Sequence, residues 1–404
     1  MFDVEKIRQD FPILKKGIIY FDSTSSSLTP EPVLQKMLEF YHNYRANVGR
    51  GVHRLSQEAS EEYGKAQQKV TDFLNAKSEN EIVMTKNTTE GINIVASGLK
   101  WEKGDKIVTS ILEHHSNFIV WLRLKMRYGV RVEIVKPKQP MNHGILDPRD
   151  FEKVVDDKTK LVAVTHASNL LGTIEPVEQI AKIAHEQNAF MLVDAAQSVP
   201  HMKVDVQKIG CDFLAFSGHK MCGPTGCGVL YIKNDVIDEV EPLCIGGGVI
   251  EDVKLDDYKL DKTSKRFEAG TPPIAEVIGL GAAVDYLQNL GMDNIEKHER
   301  KFAELMYEGF CEIPKVEVYG PEPKDKISIL AFNVGDLNSH DVALALDVSA
   351  NIMIRSGHHC ALPLVKEVIR KLRAARASTY FYNTEKEVNK LVSVVREIAG
   401  KLTK

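Results

Sequence analysis

The sequence predicts an α/β protein, with a large domain built on a mostly parallel seven-stranded sheet and a smaller α+β domain. Seven short apolar segments in the middle of the chain alternate with helical stretches, and connections of that length join parallel strands. The predicted strands are EIVMTK (81–86), KIVTSI (106–111), VRVEIV (130–135), KLVAVTH (160–166), AFMLVDA (189–195), DFLAFSG (212–218) and GVLYIK (228–233). Because parallel strands end at a common edge, ligands are expected at their carboxyl ends.

Helices are predicted between these strands and again in the C-terminal part of the chain. They are 91–99, a helix through Trp121, 177–188, 276–291, 293–310 and the segment from Glu385 to Lys401. The later helices are interleaved with an apolar strand at 327–334, which indicates the α+β domain. We therefore expect a large domain over 18–285 and a small domain formed by 1–17 and 286–404.

The composition is that of an ordinary globular protein. The chain has 404 residues, 43% of them hydrophobic and 27% charged, and a formal net charge of −4. This balance predicts no nucleic-acid or anionic-membrane partner, and no apolar run approaches the roughly 20 residues that span a bilayer. We expect a cytoplasmic protein. Its six cysteines form no CxxC pair or regular framework, so they are expected to be free thiols.

An acid and an amine follow two neighbouring predicted strands. Asp194 ends one strand, and Lys220 follows the next, 26 residues later. This pair suits pyridoxal 5'-phosphate (PLP), because a lysine amine can hold the cofactor covalently while a carboxylate pairs with the ring nitrogen. The alternative is an ordinary strand-end acid followed by a surface lysine.

Three further polar segments lie at predicted strand ends. Asn87–Gly91 could cradle a phosphate with free amides and hydroxyls, or it could be a simple helix N-cap. Asn169 and Gln197 could contact an oxygen of the cofactor ring, although such residues also form ordinary turns. In the loop after the second strand, His114 could stack on a pyridine ring and move protons. Solvent exposure or metal binding are the alternatives there. With no third ligand at zinc-like spacing, no metal site is predicted.

The segment Arg355–Cys360 carries the most specific chemical signal. A cysteine beside two histidines and near an arginine has neighbours that can favour the thiolate, as a sulfur-attacking nucleophile requires. A buried inert thiol and a His/Cys metal site are the alternatives. Downstream, Arg376 could grip a substrate carboxylate bidentately, or it could belong to a solvated helix face that includes Arg370 and Arg373.

Taken together, these motifs resemble the cysteine desulfurases of the class V aminotransferase family, specifically the SufS-type group that includes selenocysteine lyases. The similarity runs from YFDST (20–24) to YFYNT (380–384). Its signatures are VGRGVHRLS (48–56), NTTEGIN (87–93), EHHSN (113–117), THASNLLGT (165–173), VDAAQSVPH (193–201), FSGHKMCGPTGCGVLY (216–231), RFEAGTPP (266–273) and RSGHHCALPL (355–364). The resemblance implies the PLP-dependent fold type I, as in aspartate aminotransferase.

The resemblance also implies a role for each motif residue. Lys220 would hold PLP, His114 would stack on its ring, and Thr271 would reach the phosphate in the other subunit of a homodimer. The implied cofactor ligands are Thr88, Thr89, His114, Asn169, Asp194, Gln197, Ser217, His219, Lys220 and Thr271. The implied catalytic residues are Lys220, Cys360 and His114, and the implied substrate ligands are Arg376, Asn169 and Arg355.

The implied reaction converts L-cysteine to L-alanine and leaves the sulfur on Cys360 as a persulfide. The short interval between Cys360 and Arg376 resembles the SufS-type branch, whose members pass sulfur to an acceptor protein or an iron–sulfur scaffold. Two departures from the family pattern are Gly49, where many members have histidine, and Thr24 to Ser26, which replace alanines and add hydroxyls near the substrate. The alternatives are a selenocysteine lyase, another class V enzyme such as an aminotransferase or epimerase, a metal or cysteine hydrolase, and an inactive scaffold.

Overall fold

The computed structural model describes residues 2–138 and 144–402. The strands, in chain order, are β1 (Ile19–Tyr20), β2 (Ile82–Thr85), β3 (Lys106–Ser110), β4 (Arg131–Val135), β5 (Thr159–Thr165), β6 (Phe190–Asp194), β7 (Phe213–Ser217), β8 (Gly228–Ile232), β9 (Ile250–Val253), β10 (Tyr258–Leu260), β11 (Val316–Tyr319), β12 (Ile329–Val334), β13 (Ile352–Met353), β14 (Arg355–Gly357) and β15 (Ala374–Ser378). The α-helices are α1 (Val4–Arg8), α2 (Glu31–Asn43), α3 (Arg54–Phe73), α4 (Thr88–Gly98), α5 (Ile119–Tyr128), α6 (Pro148–Glu152), α7 (Val177–Glu186), α8 (Ser198–His201), α9 (Val206–Ile209), α10 (Ile274–Leu290), α11 (Met292–Cys311), α12 (Ser339–Ala350) and α13 (Glu385–Leu402).

The large sheet has seven strands in the order β2-β8-β7-β6-β5-β3-β4. Strands β4, β3, β5, β6 and β7 run parallel, whereas β8 is antiparallel to both β7 and β2. The central strands β5 to β8 are buried almost throughout, because helices cover both faces of the sheet. The predicted mostly parallel seven-stranded sheet is therefore confirmed, and the carboxyl ends of β5, β6 and β7 lie side by side.

A second, four-stranded antiparallel sheet has the order β11-β12-β15-β14 and packs against α11, α12 and α13. The N-terminal strand β1 pairs in parallel with β13, so the residues after β1 lie next to β14 and β15. This sheet and its helices form the predicted α+β part of the molecule. The division of the chain at residues 17/18 and 285/286 stays a prediction, and residue 285 lies within α10.

Residues 374–378 form a strand, not the helix that the arginine-rich run 370–376 offered as one alternative. The backbone of this segment pairs with β12 on one side and β14 on the other, and this pairing overrides the helical propensity of alanine. A π-helical turn, Leu364–Ile369, precedes the strand. Within the described ranges, no helix is both long and apolar enough to cross a bilayer.

Candidate active site

The carboxyl ends of the central strands and the edge of the small sheet enclose a cavity of about 240 Å³. All of the predicted site residues except Thr271 line it, including Lys220, Cys360 and Arg376. Thr271 lies outside this cavity on an exposed loop. The cavity thus brings together residues that are up to 352 positions apart in the chain, from Thr24 to Arg376.

Lys220 and Asp194 occupy adjacent strand ends. Asp194 is the last residue of β6, while Lys220 ends a tight 3-10 turn, Gly218–Lys220, that follows β7. Burial lowers the pKa of Lys220 to about 8, and the nearby carboxylate of Asp194 opposes this shift. Burial likewise raises the pKa of Asp194. The N–H of Ala196, which donates to Asp194 Oδ1 at 3.0 Å, and the charge of Lys220 both oppose this shift. Each charge therefore stabilises the other inside the cavity.

The N-terminus of α4 forms one end of the cavity. Asn87 caps the helix by accepting a hydrogen bond from the N–H of Glu90 at 3.0 Å. Ser217 Oγ accepts from the N–H of Thr88 at 2.9 Å and lies 2.7 Å from Thr88 Oγ1. Thr89 Oγ1 lies 2.7 Å from Ser116 Oγ. Hydroxyls and amides at a helix N-terminus suit a phosphate group, because the helix dipole favours negative charge there.

His114 forms one wall of the cavity and is held in one tautomer. The N–H of Ser116 donates to His114 Nδ1 at 3.1 Å, so the proton of the neutral ring lies on Nε2. Burial, together with the charge of Lys220, lowers the pKa of His114 to about 3. The imidazole is therefore neutral at physiological pH, which favours stacking on an aromatic ring over charge pairing.

Two buried amide side chains leave polar atoms without partners. Asn169 Oδ1 and Gln197 Oε1 accept no hydrogen bond from any residue that the structure describes. The amide nitrogen of Asn169 donates to the carbonyl of His359 at 2.7 Å, and that of Gln197 donates to the carbonyl of Thr24 at 3.0 Å. Buried polar atoms normally have partners. A hydroxyl on a polar ring in the cavity would donate to these oxygen acceptors, so the two residues fit the ring hydroxyl of PLP.

Arg376 lies on β15 and is 2% exposed. Its Nη1 donates to the carbonyl of Asn169 at 2.8 Å, and its Nη2 donates to Asp22 Oδ1 and Ser25 Oγ, each at 2.8 Å. Burial lowers the pKa of Arg376 to about 10, so it keeps its charge at neutral pH. Its Nε has no partner among the described residues. A buried guanidinium with an unpaired N–H is suited to an anionic group of a substrate.

Cys360 lies on the loop after β14, with its side chain exposed to the cavity. Its carbonyl accepts from the N–H of His115 at 2.7 Å, and both Cys360 and His359 have positive φ, at 53° and 52°. All six cysteines are free thiols, as predicted. The expectation that both neighbouring histidines favour the thiolate is wrong for His359, since its Nε2 contacts the carbonyl of Ala374 at 2.8 Å and burial lowers its pKa to about 3.

The sequence reasoning missed Asp22 and the contact that Ser25 makes. Asp22 and Ser25 contact the guanidinium of Arg376, although only added hydroxyls were expected at Thr24 to Ser26. An acid two residues after the short strand β1 is the signal that could have indicated Asp22. Across residues 2–138 and 144–402, no three His, Cys, Asp or Glu side chains group as metal ligands.

Comparison with known proteins identifies the family. The Aminotransferase class-V family matches residues 19–391. Similar curated proteins are the probable cysteine desulfurases of Pyrococcus abyssi, 49% identical, and Methanothermobacter thermautotrophicus, 47% identical, each covering 98% of both chains. The apo structure of a cysteine desulfurase from Thermococcus onnurineus is 48% identical and superposes with a TM-score of 0.94 over 98% of both chains. These matches confirm the predicted fold type I, and the chain belongs to the class-V aminotransferase family.

Proposed function

We propose that this chain is a PLP-dependent cysteine desulfurase that converts L-cysteine to L-alanine and retains the sulfur as a persulfide on Cys360. The observation that carries the proposal is the single cavity that contains Lys220, Cys360 and Arg376. One substrate-sized space is therefore lined by a lysine that can hold the cofactor, an arginine that can bind a carboxylate and a thiol that can accept the sulfur. The relatives at 47% and 49% identity bear the same activity in their names.

PLP, when bound, supplies an electron-withdrawing ring that weakens bonds at the substrate carbon next to the amine. Lys220 would hold it covalently, with Asp194 at the ring nitrogen and His114 against the ring face. Thr88, Thr89, Ser217 and His219 would hold the phosphate. Asn169 and Gln197 would contact the ring oxygen.

The chain's own residues provide the remaining steps. Arg376 holds the substrate carboxylate, and Arg355 lies at the same end of the cavity. Burial lowers the pKa of Lys220 to about 8, so the amine is neutral in about a tenth of molecules at pH 7 and can accept the α-proton. His114 stays neutral near pH 7, because burial lowers its pKa to about 3. Its Nε2–H can therefore act only as a neutral hydrogen-bond donor.

The sulfur step balances without any oxidant. The thiolate of Cys360 attacks the substrate sulfur, a new S–S bond forms, and the carbon–sulfur bond breaks. The bonding electron pair stays with the substrate carbon, and protonation there completes L-alanine. One cysteine and one thiol thus give one alanine and one persulfide.

Four finer features belong to the same proposal. They are a SufS-type relationship, based on the short interval between Cys360 and Arg376, a homodimer, a sulfur acceptor that is a protein or iron–sulfur scaffold, and a cytoplasmic location. The exposed position of Thr271 supports the homodimer, since such a residue is free to reach a phosphate in a partner subunit. The exposed thiol of Cys360 supports transfer to another protein.

The test is to incubate the holoenzyme with L-cysteine and a thiol reductant, in the absence of any keto acid. We expect alanine and sulfide in equal amounts. Cys360→Ala should lose this activity, whereas Cys311→Ala removes an exposed thiol outside the cavity and should keep it. Alanine formation that required a keto acid would indicate an aminotransferase, and full sulfide release by Cys360→Ala would contradict the covalent step.

A further inference from the structure

Two arginines stand directly opposite each other at the edge of the small sheet. In the antiparallel pair of β14 and β15, Arg355 is the partner of Arg376. Like charges directly opposite across two strands are destabilising, and Arg376 is 98% buried. This arrangement needs negative charge or hydrogen-bond acceptors between the two guanidinium groups.

Ser25 supplies the acceptor that joins them. Its Oγ accepts from Arg355 Nη1 at 2.7 Å and from Arg376 Nη2 at 2.8 Å. The same hydroxyl donates to Asp22 Oδ1 at 2.6 Å. A serine hydroxyl has one O–H and two lone pairs, so these three hydrogen bonds use its full capacity. Its geometry therefore fixes both guanidinium groups at once.

Asp22 supplies part of the negative charge. Its Oδ1 lies 2.8 Å from Arg376 Nη2, and its Oδ2 lies 4.0 Å from Arg355 Nη1. Two guanidinium groups and one carboxylate leave a single net positive charge facing the cavity. The unpaired Nε of Arg376 lies in this cluster as well. That surplus matches one carboxylate of a ligand.

We propose that Ser25 is a positioning residue that holds Arg355 and Arg376 as one carboxylate-binding unit, and so makes the cavity select ligands that carry a carboxylate. This inference rests on the proposed function only in taking L-cysteine as the substrate. Its mechanism is geometric: without the Ser25 hydroxyl, the two guanidinium groups repel each other, and Arg355, which is half exposed, swings towards solvent.

The test compares two thiols that each lack one group of cysteine. 3-Mercaptopropionate keeps the carboxylate and lacks the amine, whereas cysteamine keeps the amine and lacks the carboxylate. Calorimetry on the holoenzyme gives a dissociation constant for each, independently of turnover. Hydrogen bonds to charged groups are among the stronger ones, so Ser25→Ala should weaken 3-mercaptopropionate about tenfold and change cysteamine by less than about twofold.

Three further variants sharpen the result. Ser25→Thr keeps the hydroxyl and should restore binding, whereas Ser356→Ala is the matched control, since its hydroxyl lies beside Arg355 but contacts His340 Nδ1 at 2.7 Å. Asp22→Asn keeps the shape and raises the net charge of the unit, so it should bind 3-mercaptopropionate at least as tightly as the unmodified protein does. If Ser25→Ala does not fold, Ser25→Thr provides the test, and a loss of 3-mercaptopropionate binding in this variant, which keeps the hydroxyl, would overturn the inference.

Steady-state kinetics provide the second readout. For Ser25→Ala, KM for L-cysteine should rise about tenfold while kcat changes little, because the residue contacts only the group that binds the substrate. Equal weakening of both thiols, no weakening of either, or an equal effect of Ser356→Ala would overturn the inference. Absence of alanine formation by the unmodified protein would instead overturn the proposed function, and the calorimetric comparison would still stand.

Discussion

The side-chain amide of Asn169 donates a hydrogen bond to the backbone carbonyl of His359 at 2.7 Å. This bond connects the carboxyl end of the large sheet to the loop that carries Cys360. The backbone carbonyl of Asn169 also accepts from Arg376 Nη1 at 2.8 Å. Asn169 therefore helps to fix both the loop of Cys360, the proposed nucleophile, and Arg376, the proposed carboxylate ligand.

Asn169→Ala should loosen the Cys360 loop. The lost hydrogen bond leaves the carbonyl of His359 unpaired, at a cost of about 1–3 kcal/mol, and persulfide formation should slow by about tenfold or more. Hydrogen exchange of the 357–362 amides measures the loop directly. Asn333→Ala is the control, because that amide also donates to a backbone carbonyl, at Arg373, but lies away from the cavity. Unchanged exchange in Asn169→Ala would refute the coupling.

The pKa of Lys220 predicts how the apoenzyme takes up its cofactor. Only the neutral amine can attack the aldehyde of PLP, and burial lowers the pKa of Lys220 to about 8. The rate of covalent capture, followed by visible absorption, should therefore rise with pH up to about 8 and level off above it, whereas an ordinary lysine would level off near about 10.4. Asp194→Asn removes the carboxylate that raises this pKa, so its plateau should begin at lower pH. A plateau near pH 10 in the unmodified protein would contradict the assignment.

The buried carboxyl group of Glu175 should make the stability of the folded protein depend on pH. Its side chain is buried, Oε2 accepts from the N–H of Leu146 at 2.9 Å, and burial raises its pKa to about 8. The folded state thus binds this proton more tightly than the unfolded state, so the stability it contributes is complete below about pH 4 and is lost as pH rises through 8. Glu175→Gln cannot ionise. Its free energy of unfolding relative to the unmodified protein should rise by about 3 kcal/mol between pH 5 and pH 8.

Denaturant titrations of the two apoproteins at both pH values measure this difference. The changed hydrogen bonding of Glu175→Gln alone would shift the free energy of unfolding by the same amount at both pH values. If the offset does not grow with pH, Glu175 is already ionised in the folded protein.

Gly228 packs closely against the backbone of Asn87 and Phe216, at the end of the cavity that is proposed to hold the phosphate. A Cβ at this position would lie 2.7 Å from both Asn87 Cα and Phe216 O, which are backbone atoms that cannot rotate away. Gly228→Ala should destabilise the protein by about 1–3 kcal/mol and displace the start of α4, which weakens PLP binding. Gly64→Ala in α3 is the control, since its Cβ would meet nothing within 4 Å. Thermal unfolding and PLP titration test both effects, and an unaltered PLP affinity in Gly228→Ala would show that α4 does not depend on this contact.

Part of the site follows from local pattern and part does not. Asp194 and Lys220 could be placed together from the sequence, because parallel strands end at a common edge and both residues follow apolar strands. The cluster of Asp22, Ser25 and Arg376 could not, since Arg376 is about 350 positions from the other two. They meet because β1 pairs with β13 and Asp22 forms a bridge with Ser378 of β15.

The strand at Arg376 and the orientation of His359 each have a physical reason. The segment around Arg376 is rich in alanine, and the strand forms only because two neighbouring strands bond to it. His359 stands beside Cys360 in sequence, but its side chain turns to the carbonyl of Ala374 on β15. Sequence adjacency therefore indicated one electrostatic neighbour of Cys360, His359, that the structure does not support.

The most direct test of the account is mass spectrometry of the holoenzyme after brief exposure to L-cysteine, with no reductant present. We predict one added sulfur on the peptide that contains Cys360, and none on the peptides that contain the other exposed thiols, Cys244 and Cys311. Alanine formation with no added sulfur on the Cys360 peptide would contradict the account.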